Sequence, residues 1–219
     1  MLAKSTFDFL KLLKKNNNRV WFEKNKQKYL DAKQNIEESV QEIIIALGKH
    51  DKNIAHLQAK KCMFRIYRDV RFSKDKSPYK SNLGASLSYG NKKIASAGYY
   101  IHIQPGASFV AGGIYVPDAP VLYKIRQEID YNAKNFLKII QNKKFKTLFG
   151  KFYDGDALKN NPKGYDKTHP QIEYLKLRHF IVSHDLKDAA MMKKDFAKKI
   201  AEVMKEVKPL NEFIQKSIA

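Results

Sequence analysis

Short segments of alternating apolar and polar residues, separated by tight-turn dipeptides, occupy the middle of this chain. Alternation with a period of two places successive side chains on opposite faces of an extended strand. The candidate strands are residues 83–89, 94–104 and 108–116. The dipeptides Gly90-Asn91 and Pro105-Gly106 favour turns, and strands joined by turns this short pair in opposite directions. The sequence therefore predicts an antiparallel β-meander.

Helical patterns lie on both sides of this meander. Apolar residues recur at intervals of three and four in residues 19–47 and in residues 187–207, which is the spacing of a helix with one buried face. A short helix is predicted before Asn16, further helices follow Pro117, and residues 178–184 form another candidate strand. Residues 145–159 show a mixed pattern that favours strand and loop. We therefore predict an α+β fold, with N- and C-terminal helices packed on the sheet, and a single domain spanning residues 1–219.

Arginine is used sparingly and locally. The chain has six arginines, and three of them, Arg65, Arg68 and Arg71, fall within seven residues. A guanidinium stays charged and presents a planar set of donors that matches a carboxylate or a phosphate. Alternation predicts that residues 62–72 form a strand whose polar face carries Tyr67 and Asp69 between two of these arginines. The segment therefore indicates a site that handles anions.

Other groups suited to an anion lie near these arginines in the sequence or in the predicted sheet. Tyr100, His102 and Gln104 share one face of a predicted strand. Small residues such as Gly84 and Gly112 would leave room above the sheet, or else mark the close approach of another part of the chain. The candidate ligand-binding residues of this region are Arg65, Tyr67, Arg68, Asp69, Arg71, Lys74, Lys76, Tyr79, Lys80 and His102.

A second cluster of polar groups lies between Pro162 and Pro170. Its candidate ligand-binding residues are Lys163, Tyr165, Asp166 and His169. Guanidinium, carboxylate, phenol and imidazole groups are costly to bury alone and can satisfy one another. We therefore predict that this loop folds over the face that carries Arg65, near His102. The alternative is that Asp166 and His169 only satisfy backbone groups and cap the next helix.

Four segments of the chain resemble one family. They are residues 17–22 (Asn-Asn-Arg-Val-Trp-Phe), residues 65–80 (Arg-Ile-Tyr-Arg-Asp-Val-Arg-Phe-Ser-Lys-Asp-Lys-Ser-Pro-Tyr-Lys), residues 99–106 (Tyr-Tyr-Ile-His-Ile-Gln-Pro-Gly) and residues 162–170 (Pro-Lys-Gly-Tyr-Asp-Lys-Thr-His-Pro). Together they cover nearly the full length, and they resemble domain-of-unknown-function family 2461. The resemblance implies membership of that family and brings no activity, cofactor or catalytic residue with it.

Familiar catalytic and cofactor motifs are missing from the sequence. It contains no glycine-rich phosphate loop, no cysteine and histidine spacing suited to zinc, and no Gly-x-Ser-x-Gly elbow. The few carboxylates near the arginines argue against a two-metal site. We therefore expect no cofactor and no metal, and the sequence assigns no catalytic residue.

The cysteine content and the apolar runs of the sequence indicate the cellular compartment of the protein. The single cysteine, Cys62, cannot form an internal disulfide. No apolar run approaches the length of a membrane span, and the N-terminal residues lack the apolar core of a signal peptide. We therefore expect a cytoplasmic protein with no membrane partner.

The formal net charge of +20 has two explanations. An excess of this size favours nucleic acid or another polyanion as a partner. Abundant lysine, asparagine and isoleucine are also typical of a low-GC genome, and the lysines are not confined to one helix face. The expected partner is a phosphate-bearing small molecule or a nucleic acid, and we expect weak binding of a generic duplex.

Three functional hypotheses remain open from the sequence. The favoured one is a module that binds a phosphate-bearing or other anionic ligand in an arginine-rich basin. The first alternative is a metal-independent enzyme in which Tyr67, Asp69 or His102 acts as acid or base on an anionic substrate. The second alternative is structural, with one ion-pair network and no ligand. Its members would be Arg65, Asp69, Arg71, Asp75 and Asp166.

Overall fold

A four-stranded antiparallel meander forms the sheet of this protein. A computed structural model describes residues 1–90 and 96–218. The strands are β1 (Leu83–Ser88), β2 (Gly98–Ile103), β3 (Ser108–Ile114) and β4 (Phe180–Leu186). Each strand pairs with the next along the chain, and helices from the N- and C-terminal segments contact the sheet. The predicted α+β fold is confirmed, whereas Asn91 of the first predicted turn and the predicted strand start at Ile94 lie outside the described residues.

Helices account for most of the remaining chain. Their bounds are α1 (Lys4–Lys15), α2 (Arg19–Lys24), α3 (Lys26–Gly48), α4 (Ala59–Cys62), α5 (Ala119–Tyr131), α6 (Ala133–Ile140), α7 (Lys143–Phe149), α8 (Ile172–Leu175), α9 (Asp188–Met191), α10 (Phe196–Met204) and α11 (Lys208–Ile218), with a 3-10 turn at Lys205–Val207. No helix within the described ranges is both long enough and apolar enough to cross a membrane.

The chain divides into two compact units. The first comprises Met1–Leu87, Tyr100–Val110 and Asp185–Glu202, and the second comprises Ser88–Tyr99, Ala111–His184 and Val203–Ala219. In the first unit α1 packs on α3, and Leu10, Leu13 and Ile43 are fully buried. In the second unit α11 packs on α5 and α6, where Phe136 and Phe213 contact each other. The single domain expected from the sequence stays a prediction.

The strand predicted for residues 62–72 is wrong. Cys62 ends α4, and the following residues make only two isolated bridges, Met63 with Ala85 and Tyr67 with Tyr79. Cys62 and Ile66 are buried, but Phe64 and Phe72, which alternation places on the same face, are exposed, and the main-chain groups do not form a continuous ladder. One reason is Pro78, which lacks an N–H and cannot extend the pairing.

The long helix predicted for residues 19–47 is broken at Asn25. Its side-chain amide donates to the Trp21 carbonyl at 2.9 Å, and its backbone has φ −114° and ψ 19°, outside the helical region. Asparagine commonly ends helices in this way, because its side chain competes for backbone hydrogen bonds. The helix predicted for residues 187–207 is likewise interrupted, between α9 and α10.

The strand and loop predicted for residues 145–159 begin instead with helix α7. Asn142 caps this helix, because its side-chain oxygen accepts hydrogen bonds from the backbone amides of Lys144 and Phe145 at 2.9 and 3.2 Å. Gly150 follows its last residue with φ +66°, a conformation that suits glycine at a helix end. These two end signals identify a helix that the apolar pattern does not reveal.

The glycines of the sheet allow close packing instead of leaving open space. A Cβ atom added to Gly84 would lie 2.6 Å from the Tyr100 hydroxyl oxygen. One added to Gly112 would lie 2.3 Å from a methyl carbon of Val207. The expectation of free room above these positions is therefore wrong, and the alternative of close approach is correct.

Candidate functional site

The arginine-rich segment folds as an irregular hairpin, which we call the arginine loop (residues 65–80). The Arg68 amide donates to the Pro78 carbonyl at 3.0 Å, and the Lys80 amide donates to the Ile66 carbonyl at 2.8 Å. Ile66 and Tyr79 are buried, whereas the residues between them are largely exposed. The loop therefore stands on a buried base and presents its charged part to solvent.

Asn17 fixes the base of the arginine loop. Its side-chain oxygen accepts from the Tyr79 amide at 3.0 Å, and its side-chain nitrogen donates to the Tyr79 carbonyl at 2.8 Å. The Tyr79 ring stacks on Phe22 of α2, with centroids 3.9 Å apart and planes at 13°. The short segment that carries Asn17 and α2 thus takes the place of a neighbouring strand beside Tyr79.

Two of the loop arginines are held by carboxylates of the same loop. Arg71 donates to Asp69 from Nε at 3.0 Å and from Nη2 at 2.7 Å, and these hydrogen bonds lower the pKa of Asp69. Arg68 pairs with Asp75 and donates to the Ser73 hydroxyl at 3.3 Å. The pKa of Asp75 is lowered to about 2, first by hydrogen bonds from Ser77 and then by Arg68.

A cleft of about 340 Å³ lies between α2 and the arginine loop, and we call it the anion cleft. It is lined by Arg19, Glu23, Tyr67, Arg68, Val70, Pro78 and Tyr79. Lys26 pairs with Glu23 at 3.2 Å, whereas Arg19 forms no ion pair with any residue that the structure describes. The cleft therefore combines a free guanidinium with a second one that is held in place.

Arg65 is the third arginine of the loop and has no carboxylate within ion-pair distance among the described residues. It lies close enough to Lys80 to reduce that side chain's basicity: burial lowers the pKa of Lys80, and the charge of Arg65 lowers it further. Lys80 in turn lies over the Phe64 ring, 5.5 Å from its centroid. These two cations are therefore not neutralised within the loop.

His102 lies in a hydrogen-bonded row on β2. Its Nε2 donates to the Gln104 side-chain oxygen at 3.0 Å, and its Nδ1 accepts from the Tyr100 hydroxyl at 3.0 Å. Phe109 of β3 stacks on the imidazole, with centroids 4.6 Å apart. Burial raises the pKa of Tyr100. The prediction that Tyr100, His102 and Gln104 share one face is confirmed by these contacts.

A comparison with family models identifies the chain. The model of DUF2461, described as a conserved hypothetical protein, matches residues 5–213. The chain belongs to the DUF2461 family. No curated protein and no solved structure matches it.

Three of the four segments that carry the DUF2461 resemblance meet in the first unit. Asn17 contacts the arginine loop through Tyr79, and Phe64, which precedes the loop, packs edge-on against Tyr100 of β2 at 6.0 Å. The arginine loop thus contacts the first segment directly, and the residue just before the loop contacts the segment on β2. Sequence reasoning missed Arg19 and Asn17 as parts of this site, although both stand in the first of these segments.

The fourth segment, residues 163–169, belongs to the second unit and packs on α5. His169 donates through Nε2 to Asp130 at 3.0 Å and accepts the Gln171 amide at Nδ1, while Tyr165 packs edge-on against it. Asp166 accepts from the Thr168 amide and hydroxyl at 2.9 and 2.8 Å. Asp166 and Nδ1 of His169 thus accept from backbone amides, as the alternative states, whereas Nε2 of His169 binds a side chain of α5. The predicted proximity of this loop to Arg65 stays a prediction.

The second unit holds two further polar groups that the sequence did not single out. Arg126, on the same helix as Asp130, has a buried Nε without a hydrogen-bond partner in the described part of the chain. His179 accepts the Val116 amide at Nδ1 (2.9 Å) and donates to Asp156 through Nε2 (2.6 Å). Both nitrogens of His179 are therefore engaged, which suits a structural role. For Arg126, the sequence did offer a signal: it lies four residues before Asp130, which places both side chains on one face of the helix.

The described residues contain no group of three or more histidine, cysteine or acidic side chains arranged to hold a metal ion. The arrangement in the first unit offers cationic donors and aromatic surfaces.

Proposed function

We propose that the protein binds a phosphate-bearing ligand in the anion cleft. The observation that carries the proposal is the guanidinium of Arg19, which has no ion-pair partner among the described residues and lines the same cleft as Arg68 and Tyr67. Phosphate oxygens accept charge-assisted hydrogen bonds from guanidinium groups, and these bonds are stronger than neutral ones. The cleft volume, about 340 Å³, lies in the range of small-molecule sites.

The geometry supports Arg68 as a preorganised member of this site. Asp75 and Ser73 hold its guanidinium, so that little side-chain freedom remains to be lost on binding. Arg68 is only partly exposed, which weakens screening by solvent and salt. Arg19 supplies a positive charge without an ion-pair partner among the described residues, and Glu23, the carboxylate that lines the same cleft, pairs with Lys26.

Binding agrees better with the contacts than proton transfer does. Both ring nitrogens of His102 are engaged by Gln104 and Tyr100, so the imidazole has no free position for a substrate proton. Asp69 is held by Nε and Nη2 of Arg71, and its pKa is lowered, which makes it a weak base. Two of the three candidates for acid–base chemistry, Asp69 and His102, are thus engaged in hydrogen bonds within the protein, and Tyr67 is the third.

Calorimetric titration with inorganic pyrophosphate tests the proposal. Arg19→Gln should weaken binding about tenfold or more, because a hydrogen bond to a charged group contributes about 1.5–3 kcal/mol. The matched control is Arg178→Gln, which removes the same charge from an exposed position in the second unit. No binding to the unaltered protein, or equal effects of the two substitutions, would overturn the proposal.

A further inference from the structure

Three exposed aromatic rings lie in and beside the arginine loop, and one of them, Phe72, is the most exposed large apolar residue among those that the structure describes. The side chains of Phe64, Tyr67 and Phe72 are 48%, 50% and 95% exposed. Keeping a phenylalanine in water forgoes about 1.5–3 kcal/mol of burial free energy. Phe72 therefore presents almost its whole ring to solvent without stabilising the fold.

Two of these rings carry a cation on one face. The guanidinium carbon of Arg71 lies 5.7 Å from the Phe72 centroid, and Lys80 Nζ lies 5.5 Å from the Phe64 centroid. A cation at this distance is attracted by the ring electrons and limits the orientation of the ring. The exposure of Phe72 leaves its other face open to a planar partner.

The charge around the rings is positive after internal pairing. The loop carboxylates Asp69 and Asp75 are already bound by Arg71 and Arg68. Arg65, Lys74, Lys76 and Lys80 stay without a carboxylate partner among the described residues, although Lys76 donates to the Val70 carbonyl at 3.0 Å. The loop therefore alternates uncompensated cations with open aromatic surfaces.

We propose that the arginine loop binds single-stranded nucleic acid, with bases stacked on Phe72 and Tyr67 and phosphates held by the free cations and the anion cleft. This inference rests on the proposed function, since it names the phosphate-bearing ligand as a polynucleotide. Proteins that bind single strands combine a basic surface with aromatic side chains on which bases stack. Arginine adds a cation–π contribution to such sites.

The arrangement distinguishes a single strand from two other polyanions. A duplex keeps its bases paired and stacked, so it offers no base face to Phe72. An anionic membrane favours a continuous apolar surface separated from a basic one. Here Phe64, Tyr67 and Phe72 are interleaved with charged side chains, and two of the rings already contact a cation.

Fluorescence anisotropy with labelled oligo(dT) and oligo(U) of about twelve nucleotides tests this inference, since single-strand sites cover about 4–16 nucleotides. Phe72→Ala should weaken binding about 5- to 150-fold, which corresponds to the loss of one stacked base. Phe72→Trp should retain binding and show tryptophan quenching beyond that of Trp21, the only native tryptophan. The control is Tyr131→Ala, which removes a 76% exposed ring from the second unit and should leave affinity unchanged.

Several outcomes would overturn the inference. One is equal affinity for the single strand and the matching duplex, and another is an unchanged affinity in Phe72→Ala. Binding of phosphatidylserine vesicles that Phe72→Leu preserves would indicate membrane insertion, because leucine keeps the apolar character and loses the ring. If pyrophosphate binds the unaltered protein and oligonucleotides do not, only this inference fails. If pyrophosphate does not bind at all, the proposed function fails.

Discussion

The side chain of Asn17 makes the two backbone hydrogen bonds that a neighbouring β-strand would make with Tyr79. It satisfies both the amide and the carbonyl of Tyr79, a residue 62 positions later in the chain. Substitution by alanine would leave two partly buried backbone groups without their partners. We expect Asn17→Ala to lower the free energy of unfolding by about 1–3 kcal/mol, as measured by urea denaturation.

The neighbouring asparagine provides a control for this substitution. Asn16 makes an exposed side-chain hydrogen bond to the Leu12 carbonyl at the end of α1. We expect Asn16→Ala to change the unfolding free energy by less than about 0.5 kcal/mol, since the Leu12 carbonyl can bond to water instead. Similar losses in both variants would mean that the contact with Tyr79 contributes little.

The sequence shows where the arginines cluster, but it does not show which of them form ion pairs in the folded protein. The clustering of Arg65, Arg68 and Arg71 made the loop a candidate for anion binding, but it could not show which guanidinium is free. Two of the three are bound by carboxylates of the same loop, whereas Arg19, from α2, faces the anion cleft unpaired. Such pairing depends on how the loop folds back, which the linear order of charges does not show.

At the scale of elements, the arginine loop depends on ionised Asp75. Its pKa lies at about 2 in the folded protein, below its ordinary value of 3.8, because Ser77 and Arg68 bind the charged form. Ionised Asp75 therefore stabilises the folded loop above about pH 4, and this contribution is lost as the pH falls from about 4 to about 2. An NMR titration of the Asp75 carboxyl carbon should show a midpoint near 2.

Ser77→Ala tests the cause of this shift. Because the hydrogen bonds from Ser77 are its largest source, removing the hydroxyl should move the Asp75 midpoint upward, toward 3.8. Asp166 offers an internal comparison, since its pKa is lowered by Thr168 in the second unit and should not respond to the change. A midpoint near 3.8 in the unaltered protein would contradict the description of the loop.

Periodicity predicted the elements whose backbone bonds are local or regularly paired. The strands β2 and β3 and the amphipathic α5 follow from alternation and helical spacing. Residues 62–72 show the same alternation as a strand, yet their main chain pairs at Met63 and Tyr67 only, because Pro78 and Asn17 determine where the partner chain lies. Helix α7 was missed because the prediction relied on the apolar pattern, which is weak there. The signals that mark this helix are Asn142 and Gly150 at its two ends.

At the scale of the whole molecule, the net charge of +20 does not by itself imply a duplex-binding surface. Duplex affinity from phosphate contacts alone falls steeply with salt, because each contact releases counterions. We expect a generic DNA duplex to bind more weakly than about 1 μM at about 0.15 M salt, with little effect of Arg65→Gln or Arg71→Gln. A submicromolar complex under these conditions would contradict the prediction and assign the charge to duplex recognition.

Long-range proximity was the least predictable feature. Contacts of Phe64 with Tyr100 and of Asn17 with Tyr79 join segments that are far apart in sequence, and no local pattern specifies them. The predicted meeting of residues 163–169 with the arginine loop is of the same kind. Its members have other partners, such as Asp130 of α5 for His169, which is 39 positions away, and the sequence does not show which partner each group takes.

The bond between Asn17 and Tyr79 also makes the order of the N-terminus depend on the arginine loop. Opening the base of the loop requires the release of Asn17 and of the Phe22 ring, and hence of the segment that leads into α2. A ligand that holds the loop closed therefore opposes local unfolding of this segment by the same free energy, because the two equilibria are linked. A bound ligand would therefore also increase the resistance of this N-terminal segment to proteases, although the segment extends beyond the binding surface.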